Sequence, residues 1–298
     1  MLLTKPILPL VIASVILTAC QKPADKATGT STASQPAPAT STAMASASST
    51  NTTTTAVDLS KETAEYKTWV EGEVAQLLTD TEKFVNLLNA GKTEDAKKMY
   101  PVIRMHYERV EPIAESFGEL DPRIDSREAD LKPGETWTGY HKIEKILWTQ
   151  NTTKGTEALG KQLLDDLKEL RAKIPTADVT GDLMVQGSVD LLNEVSTRKI
   201  TGEEEIFSGT DLYDFKANIE GAQKIFDILK PKIQAKDPAL VTTLTTQFTA
   251  VNELLDKYKV GDKDYKSYKQ LTQDDTKTLA EAVNKLGEPL AQMGIILK

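Results

Sequence analysis

From about Val57 onward, apolar residues return every three or four positions, the repeat of one face of an α-helix. Trp69, Leu77, Phe84 and Leu88 are spaced by 8, 7 and 4 residues, and Gly91 then reads as a helix stop. A second stripe runs through Ile103, Tyr107, Val110, Ala114 and Phe117 to Gly118, and Pro112 within it predicts a kink or a break. Leu120 to Pro133 is polar, with Asp121-Pro122, Asp125, Arg127 and Asp130, and reads as a loop. Helices are predicted over about 135–149 and 156–174, then over about 177–196, 203–230, 236–259 and 272–296, punctuated by Pro231, Pro238 and Gly261. Period-two alternation is scarce. The expected fold is all-α, two antiparallel four-helix bundles of about 58–176 and 177–298 forming one unit. Each half sets an acidic cluster, Glu108/Glu111 or Glu203-Glu204-Glu205, near a polar-aromatic helix, Trp137–Trp148 or Asp211–Phe226, which suggests an internal duplication.

The first 57 residues follow a different logic. Residues 1–19 read as a secretory signal: Lys5 precedes an apolar run from Ile7 to Leu17, which is too short to span a membrane and is interrupted by Pro9. The run ends in Leu17-Thr18-Ala19-Cys20, which resembles a bacterial lipobox, so Cys20 is the expected lipidation site. An ordinary signal peptide with an incidental cysteine is the alternative. Residues 20–57 then form a tether. Of the 30 residues 27–56, 24 are Ser, Thr or Ala, too little apolar surface to offset the entropy of ordering. The expected location is the periplasm, lipid-anchored; Gln21 after the cysteine leans toward the outer membrane in a Gram-negative cell.

Composition narrows the chemistry. The 298 residues carry 36 Lys and Arg against 44 Asp and Glu, a net charge of −8, which disfavours nucleic acid as a partner. One cysteine excludes an intramolecular disulfide framework and any Cys-rich zinc or iron–sulfur site. Histidine chemistry must pass through His106 or His141. There is no His-Glu-x-x-His helix, no Gly-x-Ser-x-Gly elbow and no P-loop, so no catalytic residues are assigned and no enzyme is expected.

The most informative stretch is Glu135 to Trp148. At 100° per residue, Tyr140, Ile143 and Leu147 form one stripe, while Trp137, His141, Glu144 and Trp148 form another. Two indoles on the second stripe predict a helix buried on both sides, with His141 and Glu144 pointing into an interior layer. A His and a Glu three apart on a helix both reach one metal ion; the same pair also serves as a buried histidine hydrogen-bonded to fix packing. Further acids sit nearby in the pattern. Arg104, Glu108 and Glu111 lie beside the core stripe of their helix; Glu203 to Glu205 precede an apolar face, followed by Asp211 and Asp214. Glu203 reads as solvated and His106 as a structural or surface residue. Buried carboxylates must be paired or must coordinate a metal, and with imidazole they favour iron, manganese or zinc.

At these residues the chain resembles the imelysin-like proteins, specifically the EfeO/EfeM-type periplasmic iron-uptake lipoproteins. Four ordered blocks carry the resemblance: Tyr100 to Phe117, Leu120 to Asp125, Trp137 to Glu144, and Thr201 to Glu205 with Ser208 to Ala222. The resemblance implies a two-bundle helical fold and a metal site at the His-x-x-Glu motif, carried directly onto His141 and Glu144. Companion acids Glu108, Glu111, Glu204 and Asp211 match family blocks. Gly209 stands where the family commonly has a histidine, Ser-His-Thr-Asp, so any metal contact made by that histidine is missing from this chain, which counts against a second metal site. No cupredoxin-like domain such as longer relatives carry is expected, the tether taking its place. That implies the short EfeM-type form and counts against a ferrous-oxidase step assigned to that domain.

The implied function is capture of iron, ferrous or ferric, at the His-x-x-Glu site, with zinc or copper as other possible cargo. Delivery would be to an iron permease and other components of the uptake system, by a monomer. Affinity is expected to fall as pH drops through the histidine range. Some imelysin-like relatives look like alginate binders. The alternative is therefore a polysaccharide-binding protein, with Trp137 and Trp148 lining a cleft beside Lys142 and Lys145.

Overall fold

A computed structural model describes residues 57–298. The expected signal peptide, Cys20 and the tether up to residue 56 lie outside the described residues. The described part is all-α. Its helices are α1 Ser60–Asn89, α2 Thr93–Ala114, α3 Leu120–Asp125, α4 Gly139–Thr149, α5 Glu157–Lys173, α6 Gly181–Thr197, α7 Asp211–Lys236, α8 Pro238–Asp256 and α9 Gln273–Ile296. The strands among the described residues are β1 Lys259–Val260 and β2 Asp264–Tyr265, a short antiparallel hairpin around Gly261. No helix of the described residues is long and apolar enough to cross a membrane.

The apolar stripes decide how the helices pack. Helix α1 buries Tyr66, Val70, Val74, Leu77, Phe84 and Leu88 against α2 and α5. Trp69 is only partly covered and stacks on Tyr66, ring centres 5.7 Å apart. Helix α4 packs on α5 and α2; α6 lies against α9 and α7, and α8 bridges α7 and α9. The seam is α2 against α7. Gly221 of α7 makes it close: a Cβ there would fall 2.4 Å from the Arg109 carbonyl oxygen, so a larger residue would push the two helices apart.

Pro112 does not break α2. The helix runs on to Ala114 and tightens into a 3-10 turn over Glu115–Phe117. A proline at 112 leaves the carbonyl of residue 108 without its helical donor. The side-chain amide of Asn218 on α7 donates to that carbonyl at 3.0 Å, so the freed acceptor is satisfied across the seam.

Three other expectations are corrected. The 120–133 stretch is not all loop: α3 occupies Leu120–Asp125, with Pro122 in its first turn where a missing N–H costs nothing, and a 3-10 turn covers Glu128–Asp130. The helix predicted from 135 begins at Gly139, so Trp137 precedes it and donates its indole N–H to the Ser126 carbonyl at 2.7 Å. Gly139 has φ +82°, and a Cβ there would sit 2.1 Å from the Ile124 carbonyl oxygen, which fixes glycine at the junction of α3 and α4. The helix predicted from 203 begins at Asp211, leaving Glu203 to Glu205 in an irregular segment over the α2–α7 seam.

Candidate metal centre

The seam is polar where α2, α3, α4, α7 and the 202–210 segment meet. Arg104, Glu108 and Glu111 sit next to the apolar stripe of α2 and are buried with it, because α7 covers their side of the helix. Helix α4 contributes His141 and Glu144, the segment Glu204 and Glu205, and α7 Asp211, Asp214 and Asn218, all buried. Asp125, at the end of α3, is nearly so. Among the described residues the buried long-chain cations are Arg104 and Lys199, so carboxyl groups outnumber the permanent positive charges facing them. Such a layer holds together only through paired charges, protonated carboxyls or a bound cation.

Arg104 is the structural hub. It pairs with Glu108 and Asp125, and its Nε donates to Glu205 Oε1 at 3.0 Å. Tyr100 donates to the same oxygen at 3.2 Å. Lys199, from the 3-10 turn Lys199–Thr201 after α6, donates to Glu108 at 2.7 Å and to Glu111 at 2.8 Å. Asn218 adds bonds to the same two carboxylates. Glu108 and Glu111 are therefore engaged by Lys199 and Asn218, at one remove from His141. Burial opposes ionisation of Glu108, but Lys199 and Arg104 together hold it below the usual range, while burial pushes Glu111 up.

His141 has the remaining acids around it. Its Nε2 is buried, has no hydrogen-bond partner, and lies 3.6 Å from both Asp125 Oδ1 and Glu204 Oε1. Its Nδ1 lies 3.5 Å from Glu144 Oε2 and 3.9 Å from Glu205 Oε1. These separations are long for hydrogen bonds. They suit donors that share one ion: a cation about 2.1 Å from each of two tetrahedrally placed donors leaves them about 3.4 Å apart. His141 with Asp125 and Glu204, and His141 with Glu144 and Glu205, each make a three-residue group of that kind. Nitrogen and carboxylate oxygen without sulfur is a donor set for hard or borderline cations, iron and zinc included.

Electrostatics favour the same ring. Burial and the nearby Arg104 oppose protonation of His141, yet Glu144, Glu204 and Asp125 outweigh them and raise its pKa to about 10. Free His141 is thus an imidazolium at neutral pH, and the expected titration window moves above the ordinary histidine range. Burial raises Asp125 to about 7 despite Arg104 and His141. Glu204 is pulled well below the usual carboxylate range, burial being overcome by Lys199, His141 and Arg104. Asp211 is raised by burial to about 6, although its Oδ1 accepts the Glu205 amide at 3.1 Å.

Of the acids singled out from the sequence, Glu144 and Glu204 touch the His141 environment, on opposite ring nitrogens. Asp211 stands behind Glu205, and Glu108 and Glu111 belong to the lysine-bound pair. Asp125 and Glu205 complete the groups, and sequence reasoning had not put either in the site. Asp125 sat in the presumed loop, although it stands sixteen residues before His141 in the Leu120 to Asp125 block. Glu203 is half-exposed and pairs with Arg127 at 2.9 Å. His106 lies elsewhere on the α2 surface, 2.7 Å from Glu73.

Asp125 and Glu204 open onto an acidic cavity of about 230 Å³, also lined by Glu111, Asp121 and Arg127. Neither Trp137 nor Trp148 lines it. Trp137 is covered by Lys142 and Lys145, and Trp148 packs edge-on against Tyr100, so neither indole forms a sugar-stacking cleft there. Gly209 has φ +74°, and a Cβ would meet Ser267 Oγ at 2.6 Å, so this backbone does not accept the family histidine without adjustment.

With this geometry in view, comparison with known proteins places the chain. The sequence profile of the family described as Imelysin matches residues 62–293. An Efem/EfeO family lipoprotein of Staphylococcus haemolyticus is 54% identical over 242 residues, covering 80% of this chain and 84% of that protein. One from Staphylococcus aureus is 51% identical over 243 residues, covering 80% and 86%. A crystal structure described as an iron-regulated protein A precursor, from Parabacteroides distasonis, superimposes with a TM-score of 0.67 at 14% identity. It covers 83% of this chain and 97% of its own, a likeness of fold. The chain belongs to the imelysin family, among the Efem/EfeO family lipoproteins.

Proposed function

We propose that this protein is an iron-binding lipoprotein of an uptake system. Iron is captured outside the cytoplasm at His141, with Asp125 and Glu204 as the carboxylates facing Nε2, and is passed to a membrane permease. The observation that carries the reading is the Nε2 atom itself. It is buried and unpartnered, and it faces two carboxylates that border an acidic cavity. A histidine that only fixed packing would have a partner on both ring nitrogens, and Nε2 has none. Glu144 orients the ring from the other side: its Oε1 accepts the Phe207 and Ser208 amides at 3.0 and 2.7 Å, and its Oε2 turns to Nδ1. Arg104 and Lys199 hold the surrounding acids in place when no ion is bound. Zinc and copper suit the same donors and are expected to compete.

The reading extends to the rest of the chain. Cys20 carries the lipid, residues 20–57 tether a helical domain of two bundles joined along α2 and α7, and the protein acts as a monomer. Nothing supports an outer-membrane location for the anchor. Nor does proteolysis find support: the relatives are named as lipoproteins, and the site offers no zinc-peptidase helix. Glu204→Gln tests the site, since it keeps the shape and removes a ligand charge. It should weaken iron binding at least about tenfold with unchanged helical content. Wild-type affinity in that variant would remove Glu204 from the site.

A further inference from the structure

The two oxygens of Glu204 face different cations. Its Oε1 lies 3.6 Å from His141 Nε2, with Arg104 and Lys199 at 3.8 and 3.9 Å. Its Oε2 accepts from Arg127 Nη1 at 3.4 Å, and both residues line the acidic cavity. Arg127 is thus the cation nearest this carboxylate, yet it holds its other partners better. Its Nε and Nη2 grip Asp130 as a fork at 2.8 and 2.9 Å, and Nη1 also donates to Glu203 at 2.9 Å. The bond to Glu204 is the weakest of the set. The backbone beneath is fixed: the Arg127 amide donates to Asp130 at 3.3 Å, and Trp137 holds the Ser126 carbonyl. Asp130, Glu203 and Arg198 are exposed at the rim, and Glu204 is buried on the floor, so Arg127 spans the two. Arg198, just after α6, shares the rim partners, 3.5 Å from Glu203 and 3.6 Å from Asp130.

We infer that Arg127 is a built-in competitor for the captured ion. Its guanidinium occupies Glu204 in the empty protein, yields that carboxylate to an incoming cation while keeping Asp130 and Glu203, and returns to it when the ion leaves. The inference rests on the reading of His141, Asp125 and Glu204 as the capture site. It assigns a positioning residue that sets how readily the ion is given up. The case is one of charge and spacing. A cation shared by His141 and Glu204 stands close to the Arg127 guanidinium and carries the same sign of charge, so the two must part. Arg127 then loses one long bond and retains its three shorter ones, so the swing costs little and needs no backbone motion. Its charge is permanent, and the fork stays on Asp130 while the remaining nitrogen moves. Without Arg127, the empty Glu204 would lack its nearest cation, and a bound ion would have no rival for that carboxylate.

Stopped-flow transfer of zinc from the loaded protein to an excess of a chromogenic chelator tests this, beside zinc affinities from calorimetry. Arg127→Met should slow release and raise affinity by about tenfold, the worth of one charge-assisted bond to a part-buried carboxylate. Arg127→Lys keeps the charge and should stay within about threefold of the wild type. Arg198→Met removes a rim charge that does not touch Glu204, and should change release by less than about threefold. Circular dichroism checks each fold, and Arg127→Gln repeats the neutral substitution with a polar side chain. An arginine that merely braced the site would show the opposite sign, because its loss would loosen the ion. Release from both neutral variants at the wild-type rate or faster, with no zinc bound by His141→Ala, overturns the competitor and leaves the capture site standing. Equal slowing by Arg198→Met assigns the effect to overall charge and overturns it too. A wild type that binds no zinc, or His141→Ala that binds as the wild type does, overturns the capture reading itself.

Discussion

Binding of a metal ion to His141 must expel protons, and the structure sets how many. The ring binds a cation only through a deprotonated nitrogen, so protons and the ion compete. With a pKa of about 10, His141 holds its extra proton throughout the neutral range. Asp125, at about 7, is also largely protonated in mild acid. An ion taken up by both groups therefore releases about 1.9 protons at pH 6 and about 1.1 at pH 8. Affinity should rise through this window, because each proton released adds one unit to the slope of log affinity against pH. Summed from pH 6 to pH 8, the gain is about a thousandfold, or about 4 kcal/mol. A histidine at the ordinary value of about 6.5 would give only about fourfold and almost no proton release at pH 8. Calorimetric titration with zinc in buffers of different ionisation enthalpy reads the proton count directly. Proton release near zero at pH 8, with a gain below about tenfold, would show that the carboxylates do not hold His141 charged, and would refute the electrostatic account of the site.

Two further perturbations address the frame. Lys199→Met leaves Glu108 and Glu111 without their shared buried cation, and should cost about 3–5 kcal/mol in urea denaturation near neutral pH. A loss below about 1 kcal/mol would mean that the pair is already neutral. Gly139→Ala forces a positive φ on a residue with a side chain and drives its Cβ onto the Ile124 carbonyl. It should destabilise the protein by about 2 kcal/mol or more and lower its Tm, and an unchanged Tm would contradict the tight α3–α4 junction.

The helical fold was legible because period and punctuation agree: the stripe through Ile103, Tyr107 and Val110 is the buried face of α2. The errors came where local rules meet tertiary contacts. The sequence allows a kink or a break at Pro112, and the break fails because Asn218, over a hundred residues away, takes up the freed carbonyl, which nothing local shows. The Leu120–Asp125 helix hid in a run of charge and proline, yet its Leu120 and Ile124 are buried four residues apart. In the site, His141 and Glu144 stood out through their spacing and the neighbouring indoles. Spacing cannot tell which ring nitrogen each acid will face, and the structure divides Glu144 and Glu204 between the two. Of the three consecutive glutamates the sequence reads Glu203 as solvated and puts only Glu204 with the site; the bend of the 202–210 segment buries Glu205 as well as Glu204 and leaves Glu203 with Arg127. Lys199 carries no mark of burial, and Arg104 none beyond its place beside the core stripe, because long cations are normally solvated and only the surrounding carboxylates draw them in.

The central claim is that one buried imidazole makes this protein an iron binder. Anaerobic calorimetric titration of the purified protein with ferrous iron, run beside His141→Ala and His106→Ala, tests it most directly. Tight binding by the wild type and by His106→Ala, and none by His141→Ala, is the predicted result. Equal binding by all three, or binding by none, would contradict it.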